Sequence, residues 1–381
     1  MKLRGLALVA AIIVVQASNG QSITGRDSTF QVITTAVPFL TISPDARSAG
    51  MGDTGVATSA DPNSAFWNPA KLVFIEQAYG GSISYTPWLG KIINDMWISY
   101  LTGFYKITRE QAVALSKKYF DLCDISFRGA GNEPLGDFNP RELSVDLTYA
   151  RLLTEEFSVG LTGRYIYSNL TGAFSQSSSG TVDAKPGNSV AADIGVFYNK
   201  PLRSTQNSTL SLGLIISNIG AKMSYTDNEN KDFLPTNLRI GGVYKRDLDM
   251  HNSLSFALDF NKLLVPTIDE GQSVLNGMFT SFSDAPGGFE EEMKEIIVNM
   301  GVEYWYNNIF AGRIGYFLES KDKGNRQYLT LGLGFRKEKF GIDIAYVVPT
   351  NTREHPLAET IRFTLMLQVD KKQAEEKSVT D

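Results

Sequence analysis

Between residues 78 and 369 apolar and polar residues alternate with period two in fourteen successive segments, and the gaps between the segments alternate in length as well. In Phe157–Ser168 one face carries Phe157, Val159, Leu161, Gly163, Tyr165 and Tyr167. The other carries Ser158, Gly160, Thr162, Arg164, Ile166 and Ser168. Period two is the signature of a strand whose two faces meet different surroundings. The same split recurs through Leu210–Ser217, Leu254–Asn261, Leu329–Arg336 and Ile361–Val369. The segments are expected near 78–87, 95–106, 111–127, 141–153, 157–170, 189–200, 208–219, 237–247, 252–263, 295–307, 309–320, 327–337, 340–349 and 359–369. Their gaps hold 7, 4, 13, 3, 18, 7, 17, 4, 31, 1, 6, 2 and 9 residues, so every odd-numbered gap is longer than its neighbours. A soluble sandwich has no reason to sort its turns by parity. A transmembrane barrel does, because strands run up and down between short periplasmic turns and long outer loops. Many segments also reach the nine to eleven residues that cross a bilayer at a tilt, against about five or six in soluble sheets. The expected fold is therefore all-β: a transmembrane, 14-stranded antiparallel β-barrel over residues 77–369, with a plug at its N-terminus.

In this register the polar face lines the lumen. It carries Asp146, Arg164, Asp193, Arg239, Asp259, Glu303, Arg313, Arg336, Asp343 and Arg362, five acids and five arginines. Opposite signs fall on adjacent strands in Asp146/Arg164, Arg164/Asp193, Arg239/Asp259, Glu303/Arg313 and Asp343/Arg362. A selective pore shows an excess of one sign. Balanced charge fits ion pairs across a filled lumen, since a buried charge needs a partner. A polar permeation path is the competing reading of the same residues. On the apolar face, aromatic residues such as Tyr149, Tyr165, Tyr198, Tyr244, Tyr304 and Tyr316 tend toward strand ends, where amphipathic rings suit the headgroup region. Ordinary aromatic enrichment in strands is the plainer explanation.

Residues 1–20 read as a cleaved signal peptide. Lys2 and Arg4 precede the apolar run Leu6–Val15, and Ser18-Asn19-Gly20 offers small residues for cleavage before Gln21. Removing the two cations takes the net charge from −5 to −7. Residues 370–381 read as a charged periplasmic tail. The segment 21–76 lacks sustained alternation. Its Gly50-Met-Gly-Asp-Thr-Gly55 formally matches a dinucleotide fingerprint, but no strand precedes it and no helix follows, as nucleotide binding requires. Its glycines suit close backbone packing, as in a plug threaded into a barrel.

Composition removes most chemistry. Past residue 20 no apolar run is long enough for a membrane helix. The near-neutral, slightly acidic balance gives no footprint for nucleic acid. One cysteine (Cys123) and two histidines (His251, His355) cannot build an ordinary zinc site, and no cofactor site is expected. Cys123 has no disulfide partner and reads as a packed thiol. No Gly-x-Ser-x-Gly elbow is present, and a Ser-His-Asp arrangement would have to recruit His251 from a periplasmic turn or His355 from an outer loop. The expectation is a protein that is not an enzyme.

The string Ser48-Ala-Gly-Met-Gly-Asp-Thr-Gly-Val-Ala57, followed by Asp61 and Asn68-Pro-Ala-Lys-Leu72, resembles the N-terminal hatch of the FadL family of long-chain fatty-acid transporters. The longer string from Ile33 to Gly52, with Trp67-Asn-Pro-Ala-Lys-Leu72, looks like the PorV (LptO) branch of that family. Met96–Leu101 and Phe138–Ser144 are similar too. The resemblance implies a fourteen-stranded barrel with an N-terminal hatch in the outer membrane of Bacteroidota, carrying Gly50, Gly52, Gly55, Asn68 and Pro69 as hatch residues. It also implies a role in the type IX secretion system. A member would receive cargo from the large translocon barrel by its C-terminal signal domain and deliver it to an attachment complex with a PorU-type sortase. The outer loops 128–140, 171–188, 220–236 and 264–294 would then be the working surfaces. Within the last, Phe289–Lys294 reads as a short acidic helix or as a solvated loop. Passive uptake of fatty acids or other hydrophobic molecules, as in FadL relatives, is the competing function.

Overall fold

The computed structural model describes residues 33–88, 95–128, 132, 134–170, 185–202, 207–225, 231–267, 271–350 and 360–370. The leader 1–20, residues 171–184 of one long loop, His355 and the tail beyond residue 370 lie outside them.

Among the described residues, fourteen strands close a single antiparallel barrel. They are β1 (Tyr79–Pro87), β2 (Trp97–Lys106), β3 (Gln111–Asp121), β6 (Arg141–Leu152), β7 (Phe157–Asn169), β8 (Gly187–Leu202) and β9 (Ser208–Gly220) in the first half. The second half holds β10 (Asn237–Asp247), β11 (Asn252–Leu263), β12 (Ile297–Tyr306), β13 (Phe310–Leu318), β14 (Gln327–Lys337), β15 (Phe340–Pro349) and β16 (Ile361–Val369). β1 closes on β16 with Tyr79 opposite Val369, so no barrel edge is left unpaired. Four expected segments, 237–247, 252–263, 327–337 and 340–349, coincide with their strands.

The alternation is resolved as lipid-facing and lumen-facing sides. Leu147, Leu161 and Leu331 point outward and are 65%, 54% and 45% exposed, while their neighbours Asp146, Thr162 and Thr330 are buried inside. Such an apolar outer band requires hydrocarbon around it. Aromatic rings collect at both ends of the band. Tyr79, Tyr105 and Tyr149 lie near the short-turn end. At the long-loop end Tyr85, Trp97 and Tyr119 form a row with ring separations of 6.0 and 5.3 Å. Two rows at opposite depths are what interfacial girdles require; enrichment alone does not sort rings by depth.

One strand differs from expectation. The segment 111–127 leaves the barrel at Asp121, because Cys123 adopts a left-handed backbone with φ of 67° and its N–H turns back to the Asp121 carboxylate at 3.0 Å. The apolar–polar pattern resumes in β4 (Ile125–Arg128), but β4 pairs with β5 (Pro134–Phe138) as a separate outer hairpin. Cys123 itself is only half-buried.

Residues 33–76 pass through the lumen as short turns. Pro38–Thr41 and Pro69–Phe74 are 3-10 turns opened by prolines, which suit a first helical position because the missing N–H has no partner there anyway. Between them lie α1 (Ala46–Ala49) and α2 (Ser64–Trp67). Asp45 caps α1 by accepting from the Ser48 N–H at 2.9 Å, and Asn68 caps the second 3-10 turn through the Ala70 N–H at 3.1 Å.

Candidate functional site: the plugged lumen and its outer rim

Backbone lies directly on backbone where the N-terminal segment meets the barrel wall. Gly50 packs against Gly332 of β14. Gly52, with φ of +69°, has its N–H on the Thr330 hydroxyl at 2.8 Å and its carbonyl on the Asn299 amide at 2.5 Å. A Cβ on Gly52 would press on Met300 and Tyr316 backbone atoms, and a Cβ on Gly315 would overlap Met51 and Gly52. Gly55 faces the Trp67 ring, and its N–H joins that of Val56 on the Asp259 carboxylate at 2.8 and 3.0 Å. Asn68 donates to the Val196 carbonyl at 2.9 Å, and Pro69 covers Gly160 and Gly195.

Arg47 was not singled out as a site residue in the sequence, yet it joins plug to wall. All five of its N–H donors are used. Nε and Nη2 form a fork on Glu303 at 3.0 and 2.8 Å, and Nη1 reaches Asp61 at 2.9 Å. The remaining two go to the Ser59 carbonyl and hydroxyl at 3.0 and 2.6 Å. Glu303 continues to Arg313 at 2.7 Å, Arg313 to Asp343 at 2.8 Å, and Asp343 to Arg336 at 2.6 Å. A second network joins Arg164 to Asp146 at 2.8 Å and to Asp193 at 2.9 Å, with Asn218 beside it. One sequence signal does point to Arg47: it is the only arginine between residues 33 and 76, in a stretch of small residues.

Two of the expected pairings are not formed. Asp259 is taken by the plug N–H groups, and Arg239 instead lies over Trp67 and Phe66, with its guanidinium carbon 5.0 and 5.6 Å from their ring centres. Asp343 is taken by two arginines on its own side, so Arg362 turns to Asp53 of the plug at 3.5 Å and to the Ser43 carbonyl at 3.0 Å. In both cases the plug supplies a competing partner that strand register does not reveal.

The plug is also tied to itself. The Trp67 indole donates to Asp45 at 2.6 Å, and buried Lys71 donates to the Gly55 carbonyl at 2.7 Å and to Thr58 at 3.0 Å. Loss of water, followed by the nearby Asp61 charge, pushes the Asp45 carboxyl up to about 6. The folded chain then holds a proton between about pH 4 and 6 that the unfolded chain releases, so this contribution to stability is lost as pH rises through that window. Asp45→Asn keeps an oxygen to cap α1 and removes the charge. It is expected to flatten the dependence of melting temperature on pH between 4 and 6, while its amide NH2 gives up the bond from the Trp67 indole or from the Ser48 N–H. A slope unchanged in the variant would assign it to another group.

With the plug in place the lumen is divided. A cavity of about 320 Å³ opens on the long-loop side, and another of about 340 Å³, lined by Phe74, Phe197 and Lys245, lies toward the short turns.

On the long-loop rim, residues 271–296 form a platform of two short helices, α3 (Val274–Thr280) and α4 (Phe289–Lys294). The helix expected as one reading of Phe289–Lys294 is present, but only Glu290 of its three acids faces water. Glu291, Glu292 and Glu295 are buried around two ammonium groups. Lys262 at the end of β11 donates to Glu292 at 3.0 Å and to Glu295, while Lys323 of the β13–β14 loop pairs with Glu291 and, at 2.9 Å, Glu295. Buried pairs of this kind fix geometry more than they add stability. Large apolar side chains of the same segment stand exposed: Leu275, Phe279, Phe282, Phe289 and Met293 are 63%, 77%, 51%, 80% and 51% exposed. His251 sits exposed in the β10–β11 turn at the opposite end.

A closed barrel with a lipid-facing apolar band and an N-terminal segment pinned inside its lumen defines an outer-membrane protein of the FadL-like class. The P. putida toluene transporter TodX shares the fold with a TM-score of 0.51 at 10% identity, covering 86% of this chain and 98% of that one. The toluene transporter TbuX of Ralstonia pickettii (TM-score 0.49, 13% identity, 86% and 98% covered) and a Pseudomonas aeruginosa FadL homologue (0.45, 12%, 90% and 99%) are also similar. No curated protein sequence matches the chain. Residues 25–270 match the family of the type IX secretion system protein PorV, and the chain belongs to that family. It is thus an outer-membrane component of type IX secretion.

Proposed function

We propose that the protein holds the C-terminal signal domain of secreted cargo as it leaves the translocon barrel, and carries it to the sortase-containing attachment complex at the cell surface. The observation that carries this reading is the platform: five large apolar side chains on a loop held by buried ion pairs. Several large apolar side chains exposed on one short segment mark a site of protein interaction, and a rigid site loses less entropy on binding. The work is binding and transfer, not a chemical reaction. Uptake of hydrophobic molecules, the activity named for the toluene transporters, is less well supported. The outer cavity has apolar walls such as Ile42, Trp88, Leu263 and Phe317, but Arg239, Arg326, Arg362, Asp53 and Glu319 stand among them, so a wholly apolar ligand would meet charge there.

The test is binding of a purified cargo C-terminal domain to the detergent-solubilised protein, with Phe279→Asp/Phe289→Asp as the variant. Affinity is expected to fall at least about tenfold, equivalent to about 1.4 kcal/mol, with melting temperature unchanged because both side chains stand in water. Full affinity in that variant would remove the platform from the function.

A further inference from the structure

Lys117 is out of place in the barrel wall. It stands on β3 in the row that faces lipid, between Leu115 and Tyr119, and its partners across the two ladders are Leu101 and Val145. Among the described residues it is the only charged side chain of the lipid-facing rows that lies more than two residues from a strand end. A cation on that face costs free energy that diminishes toward the membrane surface. Its head accordingly runs up the wall: Nζ lies 5.7 Å from the centre of the Tyr119 ring, one lipid-facing position nearer the long-loop end. Tyr119 belongs to the aromatic row with Trp97 and Tyr85, so the ammonium reaches the headgroup level of the outer leaflet. Arg141, exposed at the start of β6, stands beside the Tyr119 hydroxyl. Neither cation forms an ion pair with a described carboxylate. Asp121 is opposite Arg141 in register, but its carboxylate accepts from the Cys123 N–H at 3.0 Å, the Asn139 amide at 3.3 Å and the Tyr119 hydroxyl at 3.4 Å.

We infer that Lys117 and Arg141 clasp the phosphate of a lipid headgroup in the outer leaflet, against the Tyr119 ring. A phosphomonoester brings up to two negative charges and three acceptor oxygens, which suits one compact ammonium and one guanidinium fork. The Lys117 stem lies among Leu101, Leu115 and Val145, at the level of the acyl chains. The anion that reaches its head is therefore one carried by a lipid; a phosphate dissolved in water would meet Arg141 alone. The site is on the outer wall and does not rest on cargo binding, since four strands, β7 to β10, separate β6 from the β11 end of the platform.

The test is native mass spectrometry of the full protein released from phosphatidylcholine nanodiscs doped with lipid A, which carries phosphomonoesters, or with the same lipid stripped of its phosphates. Retention of the phosphorylated lipid at least about tenfold above the stripped one is expected. Lys117→Leu and Arg141→Gln should each lower that retention at least about fivefold, and Lys117→Arg should keep most of it. Lys117→Leu is expected to fold with an undiminished melting temperature, because leucine suits a lipid-facing position, so it remains informative should Arg141→Gln misfold. Arg151→Gln, on the same face at the short-turn end of β6, should leave retention unchanged. Equal retention of the two lipids, retention indifferent to Lys117→Leu, an equal loss in Arg151→Gln, or displacement of the lipid by millimolar inorganic phosphate overturns the proposal.

Discussion

Gly315→Leu is expected to turn a silent barrel into a conducting one. Gly315 lies on β13 facing the lumen, and any side chain there enters the space of the Met51–Gly52 backbone. The plug has little room to yield, because Gly52 is held through its N–H by Thr330 and through its carbonyl by Asn299. Behind it, Gly50 is already against Gly332. Overpacking a buried site costs about 1–3 kcal/mol where neighbours can shift, and more where the neighbour is backbone. The barrel strands themselves stay paired through their ladders, so relief comes from displacing the plug. Planar-bilayer recordings are expected to show no steady conductance for the unmodified protein and persistent openings for the variant. The outward-facing substitution Leu333→Ile serves as the control that stays silent. A silent Gly315→Leu barrel with an unchanged melting temperature would mean that the plug contributes no seal at this point.

The second large effect belongs to the Arg47–Glu303 contact. Glu303→Ala leaves Arg47 and Arg313 both buried without their shared carboxylate, and is expected to cost about 3–5 kcal/mol. Arg47→Ala removes less, because Glu303 keeps Arg313 and the half-open Asp61 can be hydrated. The double variant should be less damaging than the sum of the two, with a coupling of about 1.5–3 kcal/mol, since one buried charge no longer strands the other. Thermal unfolding of the four proteins in one detergent measures the cycle. Strict additivity would show that the plug is held by backbone packing alone.

The strands were legible because a barrel in lipid writes its two environments onto alternate residues, and the turn lengths preserve which end faces out. Leu161 and Thr162 need no knowledge of any distant residue to declare their sides. The pattern misleads where it continues past a local break. Ile125 and Phe127 extend the alternation of β3, but the left-handed Cys123 had already taken the chain out of the barrel wall. The lumen charges were legible as positions and less so as pairs. Register puts Asp146 opposite Arg164, and they meet. Register says nothing of Gly55 and Val56, which claim Asp259, or of Asp53, which claims a share of Arg362. The platform was the least legible part. That Glu291 and Glu292 turn inward follows only from Lys323 and Lys262 standing beneath them, each about thirty residues away in sequence. The composition of Phe289–Lys294 alone reads as a wet acidic surface, the reverse of what the fold presents.

A carrier of this kind must meet its cargo at the outer rim of the plugged barrel. Site-specific photo-crosslinking in secreting cells tests this most directly, with a photoreactive residue placed at Phe279 on the platform or at Tyr105 on the lipid-facing wall near the short turns. The expected result is a covalent adduct with cargo C-terminal domains from position 279 and none from position 105. Cargo adducts absent from position 279 while secretion proceeds normally would contradict it.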